Sequence, residues 1–86
     1  MPYFVYMIVT NNKGKKISYV GFTNNLSKRL NLHNQSKGAK FTRGRKWHLI
    51  YSFKFKNKIS ALKYEYKLKK DRKKRLLIKL NYLNKI

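Results

Sequence analysis

The chain has 86 residues and carries 23 Lys and Arg against two acids, a formal charge of +21 with an isoelectric point near 10.6. That balance leaves almost no salt-bridge partners and points to a polyanion, because neutralised phosphates release counterions whatever their sequence. The absence of cysteine excludes disulfides, thiolate zinc sites and cysteine nucleophiles.

At this length one domain with a single modest core is expected. Genome bias is a bland source of the charge, since the 18 Lys, 9 Asn and 6 Ile suggest an adenine- and thymine-rich coding sequence. Glu codons fit such bias equally well, yet Glu occurs once. Nucleic acid is therefore favoured over an anionic membrane surface. The longest apolar run, Tyr3 to Val9, is far too short to span a bilayer, and nothing at the start reads as a signal peptide. The expected location is the cytoplasm, with no membrane partner. A monomer is favoured, because +21 opposes self-association.

In chain order the pattern reads ββ-α-β-αα. Tyr3 to Thr10 is rich in aromatic and β-branched residues, as a strand buried on both faces would be. Asn11-Asn12-Lys13-Gly14 is turn chemistry, and Lys16 to Phe22 completes a hairpin. Thr23-Asn24-Asn25 offers caps for a helix running to about Asn34, which Ser36-Lys37-Gly38 ends. A basic loop from Ala39 to Lys46 leads to a third strand, about Trp47 to Phe55. Asn57 or Ser60 starts a helix to about Lys70. Asp71 is placed to cap a last helix with Leu76, Leu77, Leu80 and Leu83 on its inner face.

Several polar residues fit this scheme poorly as structure alone. Glu65 falls within the apolar stripe of Ala61, Leu62 and Leu68, where an unpaired charge costs several kcal/mol to bury. A hairpin loop centred between Asn12 and Lys13 sets Tyr6 opposite Tyr19. A slip of two keeps both on one face, because strand side chains alternate with period two. Gly21 opens space beside them. Arg29 and His33, spaced i, i+4, flank the Leu26/Leu30 stripe of the next helix. Taken singly, a buried strand tyrosine is packing plus one hydrogen bond, and a lone histidine is a satisfied side chain.

The ordered set of Phe4-Val5-Tyr6, Tyr19-Val20-Gly21, the segment from Gly21 to Asn34 with Arg29 and His33, the basic loop from Lys37 to Arg45, and Ser60 to Glu65 resembles the GIY-YIG nuclease superfamily. Within it the basic loop is similar to that of the small, stand-alone bacterial branch. The first motif lacks its glycine and isoleucine, although the tyrosine that carries the hydroxyl is present. The resemblance implies an α/β fold of the α+β kind, a small three-stranded antiparallel sheet flanked by helices.

It also implies phosphodiester hydrolysis with one divalent metal, Mg²⁺ or Mn²⁺, held by Glu65. Arg29 would donate bidentate hydrogen bonds to phosphate. Tyr6 is the implied general base, its anion favoured by the cationic field, with Tyr19 and His33 orienting groups that could share the proton transfer. Gly21 and the cations Lys37, Lys40, Arg43, Arg45, Lys46, Lys69 and Lys70 are the expected nucleic-acid surface, DNA before RNA. Trp47 is assigned to the core and Phe41 is a candidate for base stacking. The competing readings are a basic DNA- or RNA-binding module without catalysis and a degenerate nuclease that binds but does not cut.

Overall fold

The computed structural model describes residues 2–12, 14–38 and 40–84, with side chains described except at 12, 83 and 84. Lys13 in the predicted turn, Ala39 at the head of the basic loop and the Leu83 side chain lie outside the described residues.

Strands β1 (Tyr3–Asn12), β2 (Lys15–Thr23) and β3 (His48–Phe55) form an antiparallel sheet in the order β2-β1-β3. The most apolar segment of the chain thus becomes the central strand, and Val5 to Val9 are all 3% exposed or less. The hairpin closes through a two-residue loop in which Gly14 takes φ +84°, a left-handed value that turns of this type require. Its register is slipped by two from the one centred on Asn12 and Lys13. Tyr6 lies opposite Gly21 and Tyr19 opposite Ile8, so both tyrosines keep one face.

Helices α1 (Leu26–Asn34), α2 (Lys58–Lys70) and α3 (Arg72–Asn84) follow the predicted spans, and a 3₁₀ turn at Lys40–Thr42 lies inside the basic loop. Each helix start has a side-chain cap. Asn25 accepts from Lys28 N at 3.1 Å, Asn57 from Ile59 N at 2.8 Å and Asp71 from Lys74 N at 3.0 Å, each worth about 1 kcal/mol.

Alternation along β1 divides the core in two. Val5 and Met7 pack with Val20, Ala61, Leu68 and Ile78 under α2 and α3. Tyr6 and Ile8 pack with Trp47, flanked by Tyr19, Leu26 and Leu30 under α1.

The last helix corrects the sequence reading. Leu76, Leu77 and Leu80 are 52%, 58% and 45% exposed, while Ile78 is the residue that is buried. The cause lies at the helix start, where the Arg75 guanidinium donates to the carbonyls of Leu68 and Lys69 at the end of α2. That anchor turns the face of Lys74, Ile78, Asn81 and Tyr82, with the exposed Leu77 among them, toward β3, where they line a cavity with Ile50 and Tyr51. The first turn of α3 also holds Arg72, Lys73, Lys74 and Arg75 with no acid among them.

Candidate active site

The site is built from the α1 face of the sheet. Tyr6 is 2% exposed, and its ring lies over Gly21 so closely that a Cβ there would stand 2.3 Å from the hydroxyl oxygen. The Tyr6 hydroxyl is 2.7 Å from His33 Nε2, and Arg29 Nε donates to it at 3.4 Å. One helical turn separates Arg29 from His33, so α1 delivers both to the same hydroxyl. His33 is fully buried, with Tyr19 edge-on to its ring at 5.3 Å. Its other nitrogen, Nδ1, is 2.8 Å from Thr42 Oγ1.

Burial sets the electrostatics. It lowers the His33 pKa below the usual histidine value, and the Arg29 charge adds to the effect, so the imidazole is neutral at neutral pH. A neutral imidazole carries one donor and one acceptor. Burial likewise raises the Tyr6 pKa above the ordinary phenol value. The Arg29 hydrogen bond and charge work against that rise, while Tyr19 and Glu65 add to it. The expectation that the cationic field would favour the resting phenolate is therefore corrected, because desolvation of the anion outweighs Arg29. Tyr6 rests as a phenol between the Arg29 donor and the His33 imidazole.

Glu65 comes from α2, which packs on the opposite face of the sheet. Its carboxylate is 18% exposed and pairs with Lys69 Nζ at 3.6 Å, so it is neither isolated nor deeply buried. The stripe around it is also narrower than expected, for Leu62 is 40% exposed. Its charge nonetheless acts on Tyr6. A cavity of about 310 Å³ lined by Ser18, Tyr19, Val20, Phe41, Lys69 and Arg75 joins the two faces around the β2 edge.

Among the described residues no three His, Cys, Asp or Glu side chains gather as a metal cage. That donor set fits no zinc site, which takes three or four nitrogen or sulfur ligands. One partly exposed carboxylate does fit a hard ion that keeps most of its waters and takes further oxygens from a phosphate.

Of the expected nucleic-acid contacts, Lys37, Lys40, Arg43 and Lys46 are exposed on the loop. Arg45 is half-buried, its guanidinium 5.2 Å from the Phe41 ring, and Phe41 stacks on Tyr19. Lys69 sits beside Glu65, whereas Lys70 turns away to lie over Tyr66 at 4.3 Å. A larger cavity, about 470 Å³, lies at the hairpin end among Lys16, Arg45, Lys46, His48 and Tyr82, remote from the tyrosines.

Four residues near the site escaped the sequence reading. Thr42 is fully buried, and its carbonyl accepts from Trp47 Nε1 at 2.9 Å. Asn34 brackets the Trp47 backbone, accepting from its N–H at 2.6 Å and donating to its carbonyl at 3.2 Å. Thr10 donates to the Lys46 carbonyl at 2.6 Å. At Gly38 a Cβ would stand 2.5 Å from His33 Nδ1. The available signal was a small or polar residue beside Trp47, His33 or the apolar run, and loops carry no periodicity to single it out.

A small antiparallel sheet flanked by helices, with a tyrosine, a histidine and an arginine converging on one face, defines an α+β protein with a buried polar site. Residues 2–81 match the family model of the GIY-YIG catalytic domain, and the chain belongs to that family. It is 50% identical over 52 residues to a UPF0213 protein of Oceanobacillus iheyensis, covering 59% of this chain and 60% of that one. It is 48% identical over 69 residues to a UPF0213 protein of Lactiplantibacillus plantarum, covering 77% of this chain and 65% of the other. The solution NMR structure of a UPF0213 protein from Bacillus halodurans is similar with a TM-score of 0.50 at 36% identity, over 93% of this chain and 85% of that one. The chain thus spans about two thirds or less of the length of the first curated relatives it matches. The GIY-YIG catalytic domain is the domain of a nuclease family. No described helix is long and apolar enough to cross a membrane.

Proposed function

We propose that this protein is a metal-dependent endonuclease that hydrolyses phosphodiester bonds in DNA, acting in the cytoplasm as one domain. The observation that carries the reading is the buried Tyr6 hydroxyl held between Arg29 Nε and His33 Nε2. A structural tyrosine needs one hydrogen bond. This one has a cation on one side and an imidazole nitrogen on the other.

In the mechanism this supports, Tyr6 takes a proton from the attacking water as its own proton passes to His33 Nε2. The phenol is never left as a free buried anion, which accommodates its raised pKa. Arg29 interacts with the hydroxyls of Tyr6 and Tyr19, and the guanidinium donors it has left would bind the phosphate oxygens. Tyr19 walls the imidazole and borders the cavity that Lys69, the ion-pair partner of Glu65, also lines. Glu65 is the residue that would hold Mg²⁺ or Mn²⁺, which when bound supplies Lewis-acid stabilisation of the phosphate and the leaving oxygen. Lys69, which pairs with this carboxylate at 3.6 Å, would be placed beside the substrate backbone. The loop cations Lys37, Lys40, Arg43 and Lys46 grip the backbone without reading bases, so cleavage is directed by structure or only loosely by sequence.

The test compares wild type with Glu65→Ala on labelled single-stranded, duplex, flap and branched DNA with Mg²⁺, Mn²⁺ or EDTA. Cleavage lost in EDTA and in the variant, with binding kept, is expected. Equal binding by both proteins with no cleavage of any substrate would instead make the chain a binding module.

A further inference from the structure

We propose that Thr42 is a positioning residue for the reaction, holding the His33 proton on Nδ1 so that Nε2 stays an acceptor for the Tyr6 hydroxyl. The inference rests on the nuclease reading for its catalytic meaning and on geometry for everything else. The ring proton of a neutral imidazole can sit on either nitrogen, and the partner of one nitrogen decides the role of the other. Nε2 faces Tyr6 at 2.7 Å and Nδ1 faces Thr42 Oγ1 at 2.8 Å.

Arg29 Nε already donates to the Tyr6 oxygen. Were His33 Nε2 to donate as well, the Tyr6 proton would lose the acceptor that the structure gives it. The ordering that gives the Tyr6 hydroxyl and both imidazole nitrogens a matched partner runs from Arg29 N–H to Tyr6, from Tyr6 O–H to His33 Nε2, and from His33 Nδ1–H to Thr42 Oγ1. Proton transfer keeps this balance: water gives a proton to Tyr6, Tyr6 gives its own to Nε2, and Nδ1–H remains on Thr42.

The threonine is fixed for this task. It is fully buried on the 3₁₀ turn of the basic loop, and its carbonyl receives Trp47 Nε1. The Trp47 backbone is in turn bracketed by Asn34, the residue after His33 on α1. The loop is therefore tied to the same helix end that carries the histidine, and Thr42 follows any shift of His33. Gly38 lets the loop pass against Nδ1, where a Cβ would not fit.

The first measurement is the ¹⁵N spectrum of the His33 ring in the wild-type chain at pH 8. A protonated Nδ1 and a bare Nε2 are expected, and the reverse tautomer overturns the proposal whatever the variants do. Thr42→Val keeps the shape and removes the acceptor, while Thr42→Ser keeps the hydroxyl. Thr42→Val should lower kcat by about 10- to 100-fold with KM for DNA little changed, in the range seen when a residue that orients a functional histidine is lost. Thr42→Ser should restore most of that rate.

Wild-type kcat in Thr42→Val, or an equal loss in Thr42→Ser, overturns the proposal. If Thr42→Val does not fold, judged by its amide spectrum, the wild-type tautomer and the rate of Thr42→Ser decide. A wild-type chain with the expected tautomer that cleaves nothing refutes the nuclease reading and leaves the positioning of His33 standing.

Discussion

The two faces of the central strand differ more than adjacent residues usually do. Met7 points into a wholly apolar layer with Val5, Val20, Ala61, Leu68 and Ile78. Tyr6, its neighbour, points into a layer where its hydroxyl and both imidazole nitrogens have hydrogen-bond partners and the imidazole is fully buried. Both faces exclude water, but for different reasons. On one side exclusion supplies the folding energy. On the other it holds His33 neutral and keeps Tyr6 a phenol. A strand buried on both faces lets one small chain do both with the same backbone.

Separate loads should give separable variants. The largest effect is expected for Tyr6→Phe, which keeps the ring and removes the hydroxyl. Cleavage should fall by about 10²- to 10⁴-fold, the usual reach of a positioned proton-transfer group, with the folded amide spectrum retained. Met7→Ala should do the reverse, costing about 2–5 kcal/mol in chemical denaturation while the rate per folded molecule holds. If Met7→Ala lost as much specific activity as Tyr6→Phe, the division between the faces would be wrong.

Gly21→Ala tests the boundary, because its Cβ would stand 2.3 Å from the Tyr6 hydroxyl and must push the ring aside. A stability loss of about 1–3 kcal/mol is expected from overpacking, with a rate loss larger than that of Met7→Ala.

The smallest effect concerns pH. The folded-state pKa of His33 lies below its unfolded value of 6.5, so below that value the unfolded chain binds the extra proton. Its contribution to stability is intact above about pH 6.5 and declines as pH falls toward the folded pKa, at no more than about 1.4 kcal/mol per pH unit. Thermal melts at pH 7.5 and 5.0 should separate further for wild type than for His33→Gln. Equal separation would mean that the imidazole is not held neutral.

Local chemistry made the elements legible. The apolar run, the Asn and Gly turn and the capping Asn25, Asn57 and Asp71 each act within a few residues, and each appears where its side chain or φ angle demands it. The stripe of α3 was misread because its leucines satisfy a helical period whichever way the helix turns. The Arg75 anchor that fixes the rotation reaches back to another helix. Tyr6, Arg29 and His33 were legible as a set through motif order and through the i, i+4 spacing on α1. Their surroundings were not, since Thr42 and Gly38 reach His33 from nine and five residues away through an irregular loop. The sign of the Tyr6 shift was lost for a similar reason. Charge can be counted along a chain, but desolvation exists only after packing.

The four cations in the first turn of α3 have a thermodynamic consequence. They sit at the positive end of the helix dipole, with Asp71 at the cap as their nearest opposing charge, and so repel both one another and the helix they begin. A polyanion laid across that turn removes the penalty, so part of its binding energy appears as folding energy of α3 and, through Ile78, of the apolar layer beneath it. Folding of α3 and binding of a polyanion there would thus be linked equilibria, each drawing the other forward.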